Sequence, residues 1–147
     1  YDEDTSVTPT GYPTTTGLNV ILLRYAEILL IYAEAQNEAV GPDQSVYDAL
    51  KEVRSRPSVM MPDIPAGLSQ AEMREVIRHE RRVELAMEGK RYSDVRRWRI
   101  AEDVMNGIVD PGGTRTFNPS RDYLWPIPGK QFDLPDNTLE QNPNYGE

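Results

Sequence analysis

Apolar residues cover most of the circumference of one stretch: Leu22, Leu23, Ala26, Ile28, Leu29, Leu30, Ile31 and Ala33. A helix apolar on most sides packs on several sides. The pattern therefore predicts a buried first helix from about Leu22 to Ala39, stopped by Gly41-Pro42. A second helix is expected from Asp43, a good N-cap, to about Arg56, with Val46, Leu50 and Val53 as its buried stripe and Pro57 ending it. The short connection makes an antiparallel helical hairpin. Pro62 and Pro65 mark a loop. A third helix begins at Ser69, where Ser69 and Glu72 fit a capping box. Its stripe runs through Met73 and Ile77 and then turns charged at Arg81, Glu84 and Glu88, before Gly89. A short fourth helix follows, from about Arg91 to Arg99.

The ends of the chain read differently. Residues 1–21 are rich in Thr, Pro and Gly and predict an extended lead-in. Six of the twelve prolines lie in residues 101–147, and the WPIPG run at Trp125–Gly129 cannot be helical. Tyr123, Leu124, Trp125, Ile127 and Phe132 nevertheless give this tail apolar surface to bury. The expectation is a mainly α protein of antiparallel helical hairpins over residues 22–100. A long Pro-rich irregular C-terminal segment, residues 101–147, would be ordered and packed on them. The hairpins are similar in size to tetratricopeptide units, although no strong internal repeat is present.

Composition narrows the class. The 147 residues suffice for one domain with a real core and also suit the last part of a longer protein. A net charge of -8 argues against a nucleic-acid partner. The average hides a contrast: residues 74–99 carry a local +4, leaving about -12 elsewhere. The arginines there alternate with acids, as in an ion network rather than a phosphate-binding stripe. The absence of cysteine excludes disulfides, thiol nucleophiles and Cys metal sites, and leaves no Cys in this chain for a lipid anchor. The acidic, polar start is neither a signal nor a transit peptide. Residues 18–35 are apolar enough to suggest a membrane span, but Arg24, Glu27 and Glu34 would each cost roughly 2.5–3.5 kcal/mol near a helix centre. The stretch therefore reads as a buried soluble helix.

Several residues invite a chemical reading. Glu80, Glu84 and Glu88 fall at i, i+4 and i+8, on one helix face. Paired carboxylates about 5–10 Å apart across a substrate serve glycoside hydrolysis, but one helix face rarely flanks a bond in a cleft. Arg78, Arg81, Arg82, Arg91, Arg96 and Arg97 are better partners for these acids, so a structural network holding two helices and the tail is favoured. Replacing Glu84 by Gln should then destabilise, by roughly 3–5 kcal/mol if the partner is buried, instead of abolishing a turnover. Asp94 with Arg91, Arg97 and Trp98 admits an anion or sugar site, but more often such a set clips a helix end. His79, the only histidine, has Glu75 one turn before it. Two ligands do not make a zinc site, and a surface or capping histidine is the plainer reading. No nucleophile elbow accompanies it. Tyr12, Tyr47, Tyr123, Trp125 and Tyr145 have rings suited to sugar faces. Without a strand platform, each reads better as a core or tail anchor. No catalytic, cofactor-binding or metal residue is assigned, and the ligand-binding residues are left unknown.

Five segments carry a resemblance: RYAEILLIYAEAQNEA at 24–39, KEVRSRP at 51–57, IRHERRVELAMEGKRYSDVRRW at 77–98, YLWPIP at 123–128 and QNPNY at 141–145. Together, and in this order, they resemble the C-terminal part of the SusD/RagB family. Asn144 departs from the glycine common there, though Asn also tolerates a left-handed turn. The resemblance implies a lipoprotein on the external face of the outer membrane, not an enzyme. It would capture oligosaccharides or other nutrients for a TonB-dependent transporter of the SusC type. The matching motifs are packing motifs, which specify a scaffold and leave ligand choice to loops. A second reading is a helical-hairpin module that binds a protein and has no glycan role. An isolated segment of this kind is expected to expose part of its first helix and to associate.

Overall fold

The computed structural model describes residues 21–136 and 138–145. The predicted lead-in, Tyr12 included, lies outside the described residues apart from residue 21. The chain is mainly helical and divides into two compact units, one ending at Glu84 and the other beginning at Leu85.

The first unit holds α1 (Tyr25–Val40), α2 (Gln44–Arg54) and α3 (Gln70–Glu84). Helices α1 and α2 form the expected antiparallel hairpin. Asp43 caps α2 by accepting from the backbone N–H groups of Ser45 and Val46, which satisfies two of the donors a helix start leaves orphaned. Helix α3 returns along α1. Its first residue, Gln70, exchanges side-chain amide bonds with Asn37, at 3.1 Å to the Gln70 carbonyl and 2.6 Å to the Asn37 carbonyl. Arg74 holds Glu38 through two 2.6 Å bonds. The capping box forms as predicted: the Ser69 N–H donates to Glu72, and the Glu72 N–H donates to the Ser69 hydroxyl.

Leu30 and Ala33 of α1, Val46, Leu50 and Val53 of α2, and Met73 and Ile77 of α3 form the buried core. Each such large side chain contributes about 1.5–3 kcal/mol on burial. The predicted α2 stripe is thus the observed one. Helix α1 starts later than predicted, and it exposes part of its apolar surface, as expected of such a segment. It begins at Tyr25, and Leu22, Leu23, Ile28 and Ile31 are exposed. Among the described residues of this unit, α1 packs against α2 and α3. None of the described helices is long and apolar enough to cross a membrane.

Helix α3 closes a turn earlier than the stripe predicts. Met87 at φ 66° and Gly89 at φ 74° are both left-handed, a conformation no α-helix contains. Glu88 therefore sits in a turn and not on the helix face of Glu80 and Glu84.

The second unit contains α4 (Lys90–Arg97), α5 (Ala101–Met105), a two-residue hairpin of β1 (Val109–Asp110) and β2 (Gly113–Thr114), and a 3-10 turn at Gly129–Gln131. The strands are antiparallel, Val109 opposite Thr114 and Asp110 opposite Gly113. Helix α5 and the hairpin were not predicted. The rest is the irregular tail, packed on α4 and α5. Tyr123 ties it to α5, its hydroxyl donating to Glu102 and accepting from the Ala101 N–H at 3.1 Å. Arg96 of α4 donates to the Tyr123 carbonyl.

Two segments of the tail hold each other. Pro126 and Pro128 have no N–H, so the Trp125–Gly129 run cannot join a regular ladder. Side chains of the last residues supply its partners instead. Gln141 accepts from the Ile127 N–H at 2.8 Å and donates to the Ile127 carbonyl at 3.0 Å. Asn142 donates to the Trp125 carbonyl at 2.5 Å, and the Tyr145 hydroxyl donates to the Leu124 carbonyl at 2.7 Å. Asn144 adopts the left-handed turn anticipated for it, at φ 62°.

Candidate functional site

The carboxylates of α3 are structural. Glu80 is bound by Arg54 of α2. Glu84 receives Arg24 on one oxygen at 2.5 Å and Arg56 on the other at 2.7 Å. Arg24 also donates to the Glu84 backbone carbonyl at 2.5 Å. Both Glu84 oxygens are thereby occupied by guanidinium groups, and a carboxylate so held is poorly placed to take a proton from a substrate or attack one. The network was expected; its membership was not. The partners of Glu80 and Glu84 come from the start of α1 and the end of α2, not from the arginines of the same sequence stretch. Arg78 pairs with Glu75 at 3.0 Å, and Arg81 approaches Glu34 at 3.8 Å.

His79 is exposed, in line with a surface histidine. No group of three or more His, Asp or Glu residues is gathered into a metal set among the described residues. Asp94 is buried and binds Arg97 at 2.9 Å, and the Arg97 and Arg91 guanidinium groups lie 4.8 and 5.9 Å from the Trp98 ring centre. This set joins one end of α4 to the other.

The aromatic candidates divide. Tyr47 is half-buried, and its hydroxyl accepts from the Leu68 N–H at 3.1 Å, so it anchors the loop before α3. It also lines an open cleft of about 390 Å³ with Gln44, Asp48, Lys51 and Asp63, whose Lys51–Asp63 pair is exposed. Tyr123 is an anchor as predicted, with its ring edge against Phe117 at 4.8 Å. Burial and the hydrogen bond to Glu102 hold its hydroxyl above the usual phenol range. Tyr145 anchors the tail through Leu124.

Trp125 does not behave as an anchor, for it is 70% exposed. Its indole N–H donates to the Tyr92 hydroxyl at 2.7 Å, and Tyr92 is itself 49% exposed. The Arg96 guanidinium lies 5.0 Å from the Tyr92 ring centre and 5.9 Å from that of Trp125. These groups border a cleft of about 260 Å³ that also takes in Phe117, Asp122 and Tyr145. Arg121 beside Asp122 holds that carboxyl below its ordinary range. Tyr92 could not be singled out from the sequence, because nothing local to α4 says that a residue 33 positions later meets it.

The sequence model of the SusD family matches residues 6–145. SusD-like protein P2 of Formosa agariphila is 37% identical over 134 residues, which is 86% of this chain and 26% of that protein. A solved protein of Bacteroides fragilis, described as a SusD-like carbohydrate binding protein, is 37% identical with a TM-score of 0.67, over 76% of this chain and 27% of its own. A second SusD-like structure from that species is 36% identical with a TM-score of 0.73, over 86% of this chain and 26% of its own. The chain spans about a quarter of the length of the relatives it matches.

Proposed function

The chain belongs to the SusD family, and on that premise we propose that it is part of a cell-surface binding protein. The intact protein captures oligosaccharides or other nutrients at the outer face of the outer membrane. It then passes them to a TonB-dependent transporter of the SusC type. The observation that carries the reading is the 37% identity to a solved carbohydrate binding protein across three quarters of this chain. The role is binding without bond cleavage, and the α3 carboxylates agree with that: their oxygens are engaged by Arg24, Arg54 and Arg56.

The residues that match the family form a core, an ion network and a pinned tail. These define a scaffold and do not specify a sugar. Calorimetry of the intact protein against a panel of neutral and acidic oligosaccharides tests the reading. Saturable binding of at least one member, with no new reducing ends after long incubation, is expected. Detergent extraction of the native membrane should recover the protein together with a large β-barrel. Cleavage of a bound glycan would overturn the reading. So would a protein partner found with no glycan bound, which would point to the helical-hairpin interaction module.

A further inference from the structure

We propose that Asn106 is a site of spontaneous deamidation and that the hairpin beside it controls the rate. The sequence supplies the reactive pair. Asn106 is the only asparagine of the chain followed by glycine. Gly107 has no Cβ to hinder approach to its own nitrogen, so this pair closes a succinimide ring most readily. The structure supplies the control. The Asn106 carboxamide pairs with both polar groups of the Phe117 backbone. Its Oδ1 accepts from the Phe117 N–H at 2.5 Å, and its Nδ2 donates to the Phe117 carbonyl at 3.3 Å. The Gly107 N–H donates to the Arg115 carbonyl at 3.1 Å, and the Arg115 N–H donates to the Ile108 carbonyl at 2.8 Å. These bonds continue the β1–β2 pairing beyond the strands. The Asn106 side chain thus stands in for a strand residue and clasps the open end of the hairpin.

The clasp opposes the reaction. Ring closure needs the Gly107 nitrogen nearly eclipsed with the Asn106 Cβ, so that it reaches Cγ. At φ -62° and ψ 137° Asn106 turns that nitrogen away from its own Cβ. The carboxamide is held at Phe117, and the Gly107 nitrogen keeps its proton in a hydrogen bond. A local opening of the hairpin removes every one of these restraints. The Gly107 N–H then gives its proton to solvent base. Its nitrogen bonds to Cγ, and the Cγ–Nδ2 bond breaks to release ammonia. Water opens the resulting ring. Cleavage at Cγ leaves aspartate; cleavage at the Asn106 main-chain carbonyl leaves isoaspartate. Either product weakens the clasp. Aspartate lacks the Nδ2 donor and sets a carboxylate oxygen against the Phe117 carbonyl. Isoaspartate adds a methylene to the main chain and shifts the register. A transient opening thus leaves a permanent mark on the hairpin.

The test follows Asn106 by peptide mapping of the intact protein, in mildly alkaline buffer with and without guanidinium chloride. Conversion to aspartate and isoaspartate is expected in both. It should be roughly tenfold or more slower without denaturant, the combined effect of the clasp's hydrogen bonds. Gly113→Ala should weaken the hairpin, because Gly113 sits at φ 120°, where a side chain is strained. Conversion in buffer should then rise severalfold in the folded variant. Equal wild-type rates with and without denaturant would overturn control by the hairpin. A folded Gly113→Ala protein converting at the wild-type rate would overturn it too, since other parts of the protein would then be what protects the pair. No conversion in denaturant would overturn the site itself. The comparison with and without denaturant needs no variant, so it decides even if Gly113→Ala misfolds.

Discussion

In the unit that ends at Glu84, charged pairs tie together helices whose backbones are already satisfied. In the unit that begins at Leu85, neutral side chains satisfy a backbone that has few partners of its own. Arg54–Glu80 and the Arg24–Glu84–Arg56 set exemplify the first; Gln141 on Ile127 and Tyr123 on Ala101 exemplify the second. The two devices should fail differently. Removing one member of a buried ion pair strands a charge, which is costly. Removing a side-chain amide from a surface loop leaves groups that water can reach, at about 0.5–1.5 kcal/mol per bond.

The largest expected effect is therefore at Glu80. The side chains of Glu80 and Arg54 are only 8% and 12% exposed. Glu80→Gln should destabilise by about 3 kcal/mol, the lower end of the range for breaking a buried pair, as measured by urea denaturation. Glu84→Gln should cost less, about 1–2 kcal/mol, because its partners Arg24 and Arg56 are 23% and 37% exposed and water screens what remains. Equal losses at the two positions would show that burial does not set the strength of this network.

Tyr123→Phe is the corresponding change in the second unit. It deletes the hydroxyl that bridges Glu102 and the Ala101 N–H while keeping the ring against Phe117. A loss of about 1–2 kcal/mol is expected, seen as faster amide exchange in α5 and in the tail. Unchanged exchange there would mean that ring packing alone holds the tail to α5.

The same comparison explains what could be read in the sequence. Helices α1 to α4 follow from signals a few residues apart: the Val46, Leu50 and Val53 stripe, the Asp43 cap, the Ser69–Glu72 box. Local rules also suggested an ion network, but they assigned Glu80 and Glu84 to arginines nearby. The true partners lie 26, 28 and 60 positions away, and no periodicity links them. Helix α5 has five residues and each strand two, too few to show a period. The locking of residues 124–127 by residues 141–145 rests on amide and hydroxyl groups whose pairing no spacing announces. The exposure of Trp125 was hidden for a related reason. An apolar residue in an irregular tail reads as an anchor until its neighbours are known.

The smallest effect separates the two units by pH. Asp43 is held below the usual carboxyl range, first by the Ser45 hydroxyl and then by the Gln36 amide, with the N–H groups of Val46 and Ser45 adding to it. Its folded pKa lies below the unfolded one. The charged cap therefore stabilises α2 above the unfolded value, near 4, and that stability is lost as pH falls through the folded value. In the second unit Asp122 is depressed in the same direction, chiefly by the Arg121 guanidinium. The donors on Asp43 are neutral and those on Asp122 include a cation, so salt should distinguish them. Amide exchange between pH 5 and pH 3 should show α2 loosening equally at low and high salt. The turn at residues 118–122 should loosen less between those pH values at high salt, because screening has already weakened its ion pair. Asp43→Asn keeps the capping oxygen without the charge and should flatten the acid response of α2 alone. If α2 in that variant still loosened as in the wild type, the acid sensitivity would belong to another depressed carboxylate of the first unit, with Glu38 on Arg74 the next to replace.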